Sequence, residues 1–393
     1  MSTSSISAIG KVIRGVSWDK ADASGTPRPD YLPILRAGNI SSSLNIQDDL
    51  VWVPASKVSA EQKMRAGDIA ICMSSGSPAV VGKTASAESD WAGSVGAFCA
   101  LIRANPAECL PQYLALFLKS PRFRQWASEA QGANIKNIKK SALEDFEIWL
   151  PPLDEQHRIV DILSRAEGIV RLRREAQKKA AELIPALFLE MFGDPATNPK
   201  GWNTELFGTL GTLDRGKSRH RPRDAEELYG GPYPFIQTGG VANSGGRITR
   251  HEATYSEAGL AQSKLWPSGT LCITIAANIA KTGVLEFDAC FPDSVVGFLP
   301  GKNIRTEYVQ AWLGFLQPTL EANAPQAAQK NINLEILRGL PVPVPPLKLQ
   351  DDFEQRCTEV FSIQSQQADA MQKAEATFDA LLAQVFAPRQ INS

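Results

Sequence analysis

The chain has 393 residues, of which 43% are hydrophobic and 21% charged, and its formal net charge is −1 at pH 7. This length suits two or three globular domains, and since no apolar run approaches the roughly 18 residues of a membrane span, no membrane partner is expected. The near-neutral charge excludes a strongly basic body, so any contact with nucleic acid must be locally arranged or supplied by a partner.

Cysteine and histidine usage indicates neither a disulfide framework nor a metal site. The six cysteines are scattered without a CxxC pair, as expected of reduced, buried thiols in a cytoplasm. With only three histidines, a histidine-rich metal site is not expected. The opening residues Met1-Ser2-Thr3-Ser4-Ser5 lack the basic region and apolar stretch of a secretory signal, which favours a cytoplasmic location.

Residues 1–150 are predicted to form a mixed α/β domain. Residues 67–73 are a compact apolar run opened by glycine, typical of a buried strand, and residues 113–126 have helical spacing. Just before the last predicted strand, three lysines flank two asparagines: Lys136, Lys139 and Lys140. Such a segment suits phosphate contacts or, equally, a capped turn that enters the strand.

A long helix is predicted over residues 151–195, after Pro151-Pro152-Leu153. Two interleaved rows of mainly apolar residues, repeating every seven positions, indicate a coiled-coil seam. About 38 helical residues would span roughly 57 Å. We expect Pro185 to kink this helix and Gly193-Asp194-Pro195 to end it. The main seam residues are Ile159, Leu163, Val170, Ile184 and Leu187.

The second half of the chain repeats the first. Lys136-Asn137-Ile138 recurs 194 residues later as Lys330-Asn331-Ile332, and Pro151-Pro152-Leu153 recurs as Pro345-Pro346-Leu347. Inside the globular parts, the distance along the chain between a stretch and its repeat varies by several residues. This variation indicates insertions in loops around a shared scaffold. Solenoid repeats span about 20–50 residues, so this repeat is a duplicated domain.

The duplication predicts a second α/β domain over residues 196–345 and a second long helix over residues 346–393. Each helix must bury its apolar stripe, and we expect the two stripes to pair with each other. Arg173 and Gln367 interrupt the two stripes at equivalent positions; they either set the register of that pairing or are ordinary imperfections. The second seam contains Phe353, Val360, Met371, Phe378 and Leu381.

One phosphate-loop pattern occurs, at residues 211–218, where the sequence matches GxxxxGK[ST]. A true phosphate loop is followed by a helix whose N-terminal amides cradle the phosphates. Here the residues that follow are Arg219-His220-Arg221-Pro222-Arg223, which have no helical pattern. Neither a methylase Asn/Asp-Pro-Pro-aromatic tetrapeptide nor GxSxG or HExxH is found. A nucleotide-dependent enzyme is therefore kept only as an alternative.

The same stretch holds the densest basic cluster of the chain. Arg215, Lys217, Arg219, Arg221 and Arg223 lie within nine residues. A loop of this kind suits DNA phosphates or guanine edges, since arginine commonly reads guanine. The alternative is a solvated loop that neighbouring carboxylates partly neutralise. The cluster favours DNA binding only if other features indicate it.

The ordered series of domain, helix, domain, helix resembles the specificity subunit of type I restriction-modification systems, and the resemblance covers nearly the whole chain. The resemblance rests on several stretches that look like sequence motifs of that family. The second copy departs from the pattern because Lys348-Leu349 precede its glutamine, where the first copy has Asp154-Glu155. The stretches are Arg14-Gly15-Val16-Ser17-Trp18, Gly67-Asp68-Ile69, Pro151-Pro152-Leu153-Asp154-Glu155-Gln156 and Pro232-Tyr233-Pro234-Phe235-Ile236-Gln237-Thr238-Gly239.

The resemblance implies a non-catalytic DNA reader. Two target-recognition domains, residues 1–150 and 196–345, would each read half of a bipartite sequence in double-stranded DNA. Two antiparallel coiled-coil helices, residues 151–195 and 346–393, would separate them and fix the gap between the half-sites. Since same-face sites recur about every 34–36 Å, a rod of about 57 Å is long enough for that spacing.

The resemblance also implies partners. Methylase subunits, expected to be two, would dock on the helices and carry S-adenosylmethionine. A restriction subunit, an ATP- and Mg-dependent translocase-nuclease, is left open as a third partner, and this chain itself would bind no cofactor. A coiled-coil adaptor without DNA binding is the remaining alternative.

Basic residues near the repeated stretches and loops are the candidates for DNA contact. The candidates are Arg14, Lys20, Arg36, Lys83, Lys136, Lys139, Lys140, Arg215, Lys217, Arg219, Arg221, Arg223, Arg247, Lys281 and Lys330.

Overall fold

The computed structural model describes residues 3–129, 137–276, 279–322 and 332–387. The chain divides into two compact units. Unit 1 comprises Met1–Glu175 together with Asp369–Ser393, and unit 2 comprises Ala176–Ala368. We call residues 3–150 head 1 and residues 201–346 head 2.

Head 1 is built of short strands and short helices, and the long helix α5 follows it. Its sheets have the orders β2-β8-β5-β6, β4-β3-β7 and β1-β9. The elements are β1 (Thr3–Ser5), α1 (Ile6–Ile9), β2 (Gly10–Arg14), β3 (Tyr31–Leu35), β4 (Val51–Pro54), β5 (Ile69–Cys72), β6 (Thr84–Ser86), β7 (Ser94–Val95), β8 (Cys99–Ala104), α2 (Pro111–Leu118), α3 (Pro121–Glu129), α4 (Lys140–Glu144), β9 (Glu147–Trp149) and α5 (Leu153–Phe192).

Head 2 has the same plan with one more strand in each of its two larger sheets, and the long helix α10 follows it. Its sheets have the orders β11-β19-β16-β17-β13, β14-β12-β18-β15 and β10-β20. The elements are β10 (Asn203–Leu206), β11 (Gly211–Arg215), β12 (Tyr229–Phe235), α6 (Thr238–Ala242), β13 (Arg247–Ile248), β14 (Ala253–Tyr255), α7 (Glu257–Ala261), β15 (Leu265–Trp266), β16 (Leu271–Thr274), β17 (Thr282–Leu285), β18 (Ala289–Cys290), β19 (Val295–Pro300), α8 (Thr306–Ala322), α9 (Leu334–Arg338), β20 (Pro341–Val344) and α10 (Leu347–Val385).

The strand predicted over residues 67–73 is β5, and all four of its residues are buried. The helix predicted over residues 113–126 is two helices, α2 and α3, rather than one. Pro121 begins the second helix. A proline there cannot donate the backbone hydrogen bond that would continue the first helix, although it is well tolerated in a first turn.

The core of unit 1 contains parts of both long helices. Ile159 and Leu163 of α5 lie in one buried cluster with Leu382 of α10 and Phe386 just beyond it. The ring of Phe386 packs edge-on against that of Tyr113 in head 1, with 5.6 Å between ring centroids. Because the start of α5 meets the end of α10, the two helices run antiparallel within this unit.

Unit 2 has the reciprocal arrangement. Phe188 and Phe192, at the end of α5, share a cluster with Phe353 and Cys357, near the start of α10. The Phe192 ring packs edge-on against Tyr308 of head 2, with 4.9 Å between ring centroids. Each unit is therefore one head plus a part of each long helix.

The seam residues predicted from the seven-residue rows lie on the packed faces of the helices. Ile159, Leu163, Val170, Phe353 and Met371 are buried, and Ile184, Leu187, Val360, Phe378 and Leu381 are half-buried. A straight α-helix has 3.6 residues per turn, so a strict seven-residue row drifts off the packed face along the helix. This drift explains why the most buried positions near the helix ends lie one residue later. Those positions are Phe188, Phe192, Leu382 and Phe386.

Polar contacts accompany the helix pairing in each unit. In unit 2 the Gln364 side-chain amide donates to the backbone oxygen of Ala180, 2.9 Å away. In unit 1 a guanidinium nitrogen of Arg174 lies 3.2 Å from a Glu375 carboxylate oxygen. Arg173 is exposed and Gln367 half-buried.

Helix α5 runs through Pro185 and ends at Phe192. Gly193 follows with φ of +81°, a left-handed conformation that glycine adopts without a Cβ clash. Its N–H donates to the oxygen of Leu189 at 2.9 Å. This glycine ends the helix, at the position where the sequence predicts its end.

Two fully buried glutamines tie the start of each long helix to its head. The Gln156 amide donates to the oxygens of Glu108 (3.1 Å) and Pro151 (2.8 Å), and its oxygen accepts from Leu110 N–H (2.9 Å). The glutamine that ends the Pro-Pro-Leu repeat therefore connects three separate backbone groups.

The second glutamine makes the same set of bonds. The Gln350 amide donates to the oxygens of Asn303 (3.2 Å) and Pro345 (2.8 Å), and its oxygen accepts from Arg305 N–H (2.9 Å). This repeated side chain fixes where the helix leaves the head.

We expect Gln350→Ala to lower the free energy of unfolding of unit 2 by about 3 kcal/mol, since it leaves backbone groups without partners. Urea unfolding followed by tryptophan fluorescence measures the change. Gln366→Ala, at an exposed position of the same helix, is the matched control and should change the stability by less than about 0.5 kcal/mol. Equal effects of the two substitutions would contradict the assigned role.

Candidate nucleic-acid interface

The basic loop, residues 215–223, begins where β11 ends. Gly216 is required there because a Cβ would lie 2.2 Å from the oxygen of Phe291. Gly15 of head 1 is equally confined, since its Cβ would lie 2.0 Å from the oxygen of Gly96. The repeated Arg-Gly pair thus marks a close approach of two backbone segments. It leaves the preceding arginines, Arg14 and Arg215, exposed at equivalent strand ends.

Hydrogen bonds from neighbouring segments hold the backbone of the basic loop. Lys217 N–H donates to the oxygen of Phe291 (3.1 Å), and the Ser263 hydroxyl donates to the oxygen of Lys217 (2.8 Å). The side-chain oxygen of Gln262 accepts from Arg219 N–H and, at 3.0 Å, from His220 N–H. The loop is therefore preorganised by residues that follow it in the chain.

The side chains of the loop fall into two groups. Arg221 donates back to the loop oxygens of Ser218 and His220 (2.8 and 2.7 Å), and Arg223 forms an ion pair with Asp293 (2.9 Å).

The second group of loop side chains consists of Arg215, Lys217 and Arg219, which are exposed. Within the described part of the chain they make no ion pair. A fixed loop that presents three unpaired cations is suited to an anionic ligand.

The same geometry argues against a phosphate loop at residues 211–218. The first five of these residues form strand β11, and no helix follows Ser218. The amides of Gly216 and Lys217 donate to Val295 and Phe291 oxygens, so they are not free to cradle a phosphate.

Head 1 carries a different charge pattern at the corresponding place. Lys20 is exposed in a short 3-10 turn, Lys20–Asp22. The Asp22 carboxylate lies 2.9 Å from the Lys57 ammonium, and this hydrogen-bonded pairing lowers the pKa of Asp22 and raises that of Lys57. Head 1 therefore has no counterpart of the basic cluster within its described residues.

Three other candidates for DNA contact form ion pairs with carboxylates of this chain. Arg36 is paired with Asp49 and lines a surface cavity of about 460 Å³. Lys140 lies 3.3 Å from Glu144, one helical turn later. Arg247 is paired with two carboxylates.

The two carboxylates around Arg247 belong to Glu286 (3.1 Å) and Glu307 (2.8 Å), and its guanidinium lies over the Phe361 ring at 4.6 Å. Its side chain is only 23% exposed. These contacts give it a packing role within unit 2.

The remaining candidates are exposed or lie outside the described residues. Lys83, Lys139 and Lys281 are exposed. Lys136 and Lys330 lie outside the described residues. Gln262, Ser263 and Asp293 were not identified from the sequence, since they follow the loop by some 40 residues or more and belong to no motif.

The described part of the chain contains neither a membrane-spanning helix nor a metal-binding group. No helix there is long and apolar enough to cross a membrane. No group of three or more histidine, cysteine, aspartate or glutamate side chains there could hold a metal ion.

Comparison with known proteins identifies the family. A family model described as the type I restriction modification DNA specificity domain matches residues 3–182 and again residues 199–381. The chain belongs to this family. The two matches cover one head each, so this specificity subunit carries the domain twice.

Curated relatives agree with this assignment. The chain is 26% identical over 413 residues to the type I restriction enzyme EcoKI specificity subunit of Escherichia coli (strain K12), with 97% of this chain and 87% of the relative covered. It is 41% identical over 187 residues to the StySPI specificity subunit of Salmonella potsdam, with 47% of this chain and 39% of the relative covered.

Solved structures share the fold. A chain from a study of complex assembly and conformational transition of the type I restriction-modification system has a TM-score of 0.59 at 21% identity, covering 98% of this chain and 97% of that one. The S subunit of a type I system from M. genitalium has a TM-score of 0.53 at 16% identity, covering 99% and 96%. The predicted family and fold class are confirmed. The nucleotide-dependent enzyme and the coiled-coil adaptor find no support.

We expect Gln262→Leu to mobilise the basic loop, because the amides of Arg219 and His220 lose their acceptor. Their hydrogen exchange should accelerate about fivefold, since a typical hydrogen bond contributes about 1 kcal/mol. Exchange followed by mass spectrometry of the loop peptide measures this. Gln366→Leu, on the exposed face of α10, should leave the loop peptide unchanged. Unaltered exchange in the Gln262 variant would show that the loop is held by its other contacts.

Proposed function

We propose that this chain is the non-catalytic DNA-reading subunit of a type I restriction-modification complex, with one half-site read by each head. The observation that carries the proposal is the double match to the specificity domain on two heads of the same plan. Two copies of one reading domain suit a target made of two parts. This division gives the domains as residues 1–150 and 196–345, with spacer helices over residues 151–195 and 346–393.

The two heads differ in charge at the loop that follows the repeated Arg-Gly pair. Head 2 presents Arg215, Lys217 and Arg219 on a fixed loop, whereas the corresponding turn of head 1 contains Asp22 paired with Lys57. Arginine contacts guanine edges and phosphates, so this difference supports two unlike half-sites. Which bases each head reads depends on the geometry of its loops in the complex with DNA.

The long helices would set the gap between the half-sites. The 40 residues of α5 correspond to about 60 Å at 1.5 Å per residue. Same-face sites on DNA recur about every 34–36 Å, so a helix of this length could bridge nearly two turns. The repeated glutamine bonds at the helix starts support a fixed geometry at each end.

Helix α5 also has a face on which methylase subunits could dock. Ile162, Ile169 and Leu172 are 41%, 53% and 60% exposed. At 100° per residue they fall within an arc of about 80°, away from the buried seam. An exposed apolar stripe on a helix suits a partner's surface.

The methylase subunits, of which we expect two, would supply S-adenosylmethionine. A restriction subunit using ATP and Mg would complete a nuclease. The complex would act on DNA in the cytoplasm, while this chain supplies target recognition without a cofactor of its own.

The proposal is tested by selection from a random-sequence duplex library with this chain and its methylase. We expect enrichment of two short half-sites with a fixed gap and adenine methylation within them. The doubly substituted Lys217→Ala, Arg219→Ala chain should bind more weakly and alter one half-site only, since head 1 is unchanged. If the wild-type complex enriches no bipartite sequence, the proposed function is wrong.

The docking face is tested separately. We expect Ile169→Glu combined with Leu172→Glu to weaken methylase binding at least tenfold, because two carboxylates would replace apolar contact area. Ser164→Glu, an exposed polar position of the same helix, is the control and should retain binding. Analytical ultracentrifugation of the mixed subunits measures the association. Full binding by the double variant would place the docking surface elsewhere.

A further inference from the structure

We propose that Lys83 of head 1 and Lys281 of head 2 form a matched pair of contacts to the DNA phosphate backbone, independent of base sequence. The inference rests on the proposed function and adds to it a division of labour within each head. It is carried by a hairpin geometry that the two heads share at these lysines.

In head 1 the lysine follows the turn between β5 and β6. The N–H of Cys72, at the end of β5, donates to the oxygen of Lys83 at 3.0 Å. The N–H of Gly82 donates back to the oxygen of Cys72 at 2.9 Å. This closed pair of bonds fixes the backbone of Lys83, while its side chain is exposed.

Head 2 repeats this arrangement between β16 and β17. The N–H of Thr274 donates to the oxygen of Lys281 at 2.9 Å, and the N–H of Ala280 donates back to the oxygen of Thr274 at 2.8 Å. The Thr274 hydroxyl oxygen also accepts from Lys281 N–H at 3.1 Å. The exposed Lys281 ammonium lies 3.3 Å from the neutral side-chain oxygen of Gln317.

The residue before each lysine adopts the left-handed conformation. Gly82 has φ of +82°, where glycine is unstrained, but Ala280 has φ of +55°. A Cβ disfavours this region, so residues other than glycine adopt it only where surrounding structure imposes it, often at functional sites. Head 2 therefore keeps the turn in spite of an unfavourable residue, which argues that the turn itself is needed.

The isoleucine of the Lys-Asn-Ile repeat is hydrogen-bonded just beyond the first strand of this hairpin in both heads. Ile138 N–H donates to the oxygen of Met73 at 2.8 Å, one residue beyond β5. Ile332 N–H donates to the oxygen of Ile275 at 3.0 Å, one residue beyond β16. In each head the isoleucine of this repeat therefore lies beside the hairpin, whose lysine is followed by a threonine in both heads, Thr84 and Thr282. Exposed Lys139 adds a further cation beside the head 1 hairpin.

Repetition distinguishes this site from the basic loop. Contacts to bases must differ between heads that read unlike half-sites, whereas contacts to phosphates can be identical. The basic loop differs between the heads, whereas both heads keep the same bonded lysine where the hairpin re-enters the sheet, although the connection is longer in head 1 (residues 73–82) than in head 2 (residues 275–280). Lysine suits this task because its ammonium is a mobile point charge that needs no fixed geometry. Within the described residues, neither Lys83 nor Lys281 is neutralised by an ion pair.

The test is the salt dependence of DNA binding by the complex of this chain with its methylase. For Lys83→Ala and Lys281→Ala, alone and combined, the slope of log Kobs against log salt should fall in magnitude by about 0.9 for each lysine removed. The half-sites selected from a random library should stay unchanged. Lys83→Arg combined with Lys281→Arg should restore the slope, which separates loss of charge from loss of fold.

Lys63→Ala and Lys302→Ala are the matched controls, one exposed lysine per head, and should leave the slope unaltered. The inference is overturned if the hairpin variants behave like these controls, or if their selected bases change. Binding is also measured on duplex without a target. A wild-type complex that selects no bipartite sequence would thus refute the proposed function, while the slopes still decide the role of the two lysines.

Discussion

The buried amide of Gln156 bonds to the backbone of Glu108, Leu110 and Pro151, and Gln350 makes the equivalent bonds in the other unit. A buried carboxamide left without partners would be costly, so each glutamine joins the start of a long helix to its head in one geometry. That geometry directs the apolar stripe of the helix onto the core of the head. The packing of the two helices within each unit depends on this junction.

The 194-residue spacing follows from how the units are built. Each core takes the start of one long helix and the end of the other, so Phe386 packs on Tyr113 and Phe192 on Tyr308. A residue inserted into either helix would rotate its stripe by about 100° relative to the core it must enter. Loops within a head carry no such constraint, which explains why spacing drifts there and permits head 2 to have a basic loop that the described residues of head 1 lack.

Local patterns made much of the fold predictable: apolar runs gave the strands, and seven-residue rows gave the long helices. Helical spacing continued across Pro121, so the break between α2 and α3 was missed. The contacts of the candidate site could not be foreseen, because Gln262 and Asp293 reach the basic loop from distant sequence. Arg247 resembled any other exposed cation until the fold placed Glu307 and Phe361 around it. Which charged side chains pair is decided by the tertiary structure and cannot be read from the composition.

The discontinuity of unit 1 has a consequence for biosynthesis. Unit 2 is one uninterrupted segment and can close its core as soon as it leaves the ribosome. Unit 1 cannot, because its core requires Leu382 and Phe386. At about 5–20 residues per second, head 1 would wait on the order of 10–40 s for them. A stop codon shortly before Leu382 would therefore damage the domain that is synthesised first and spare the one synthesised last.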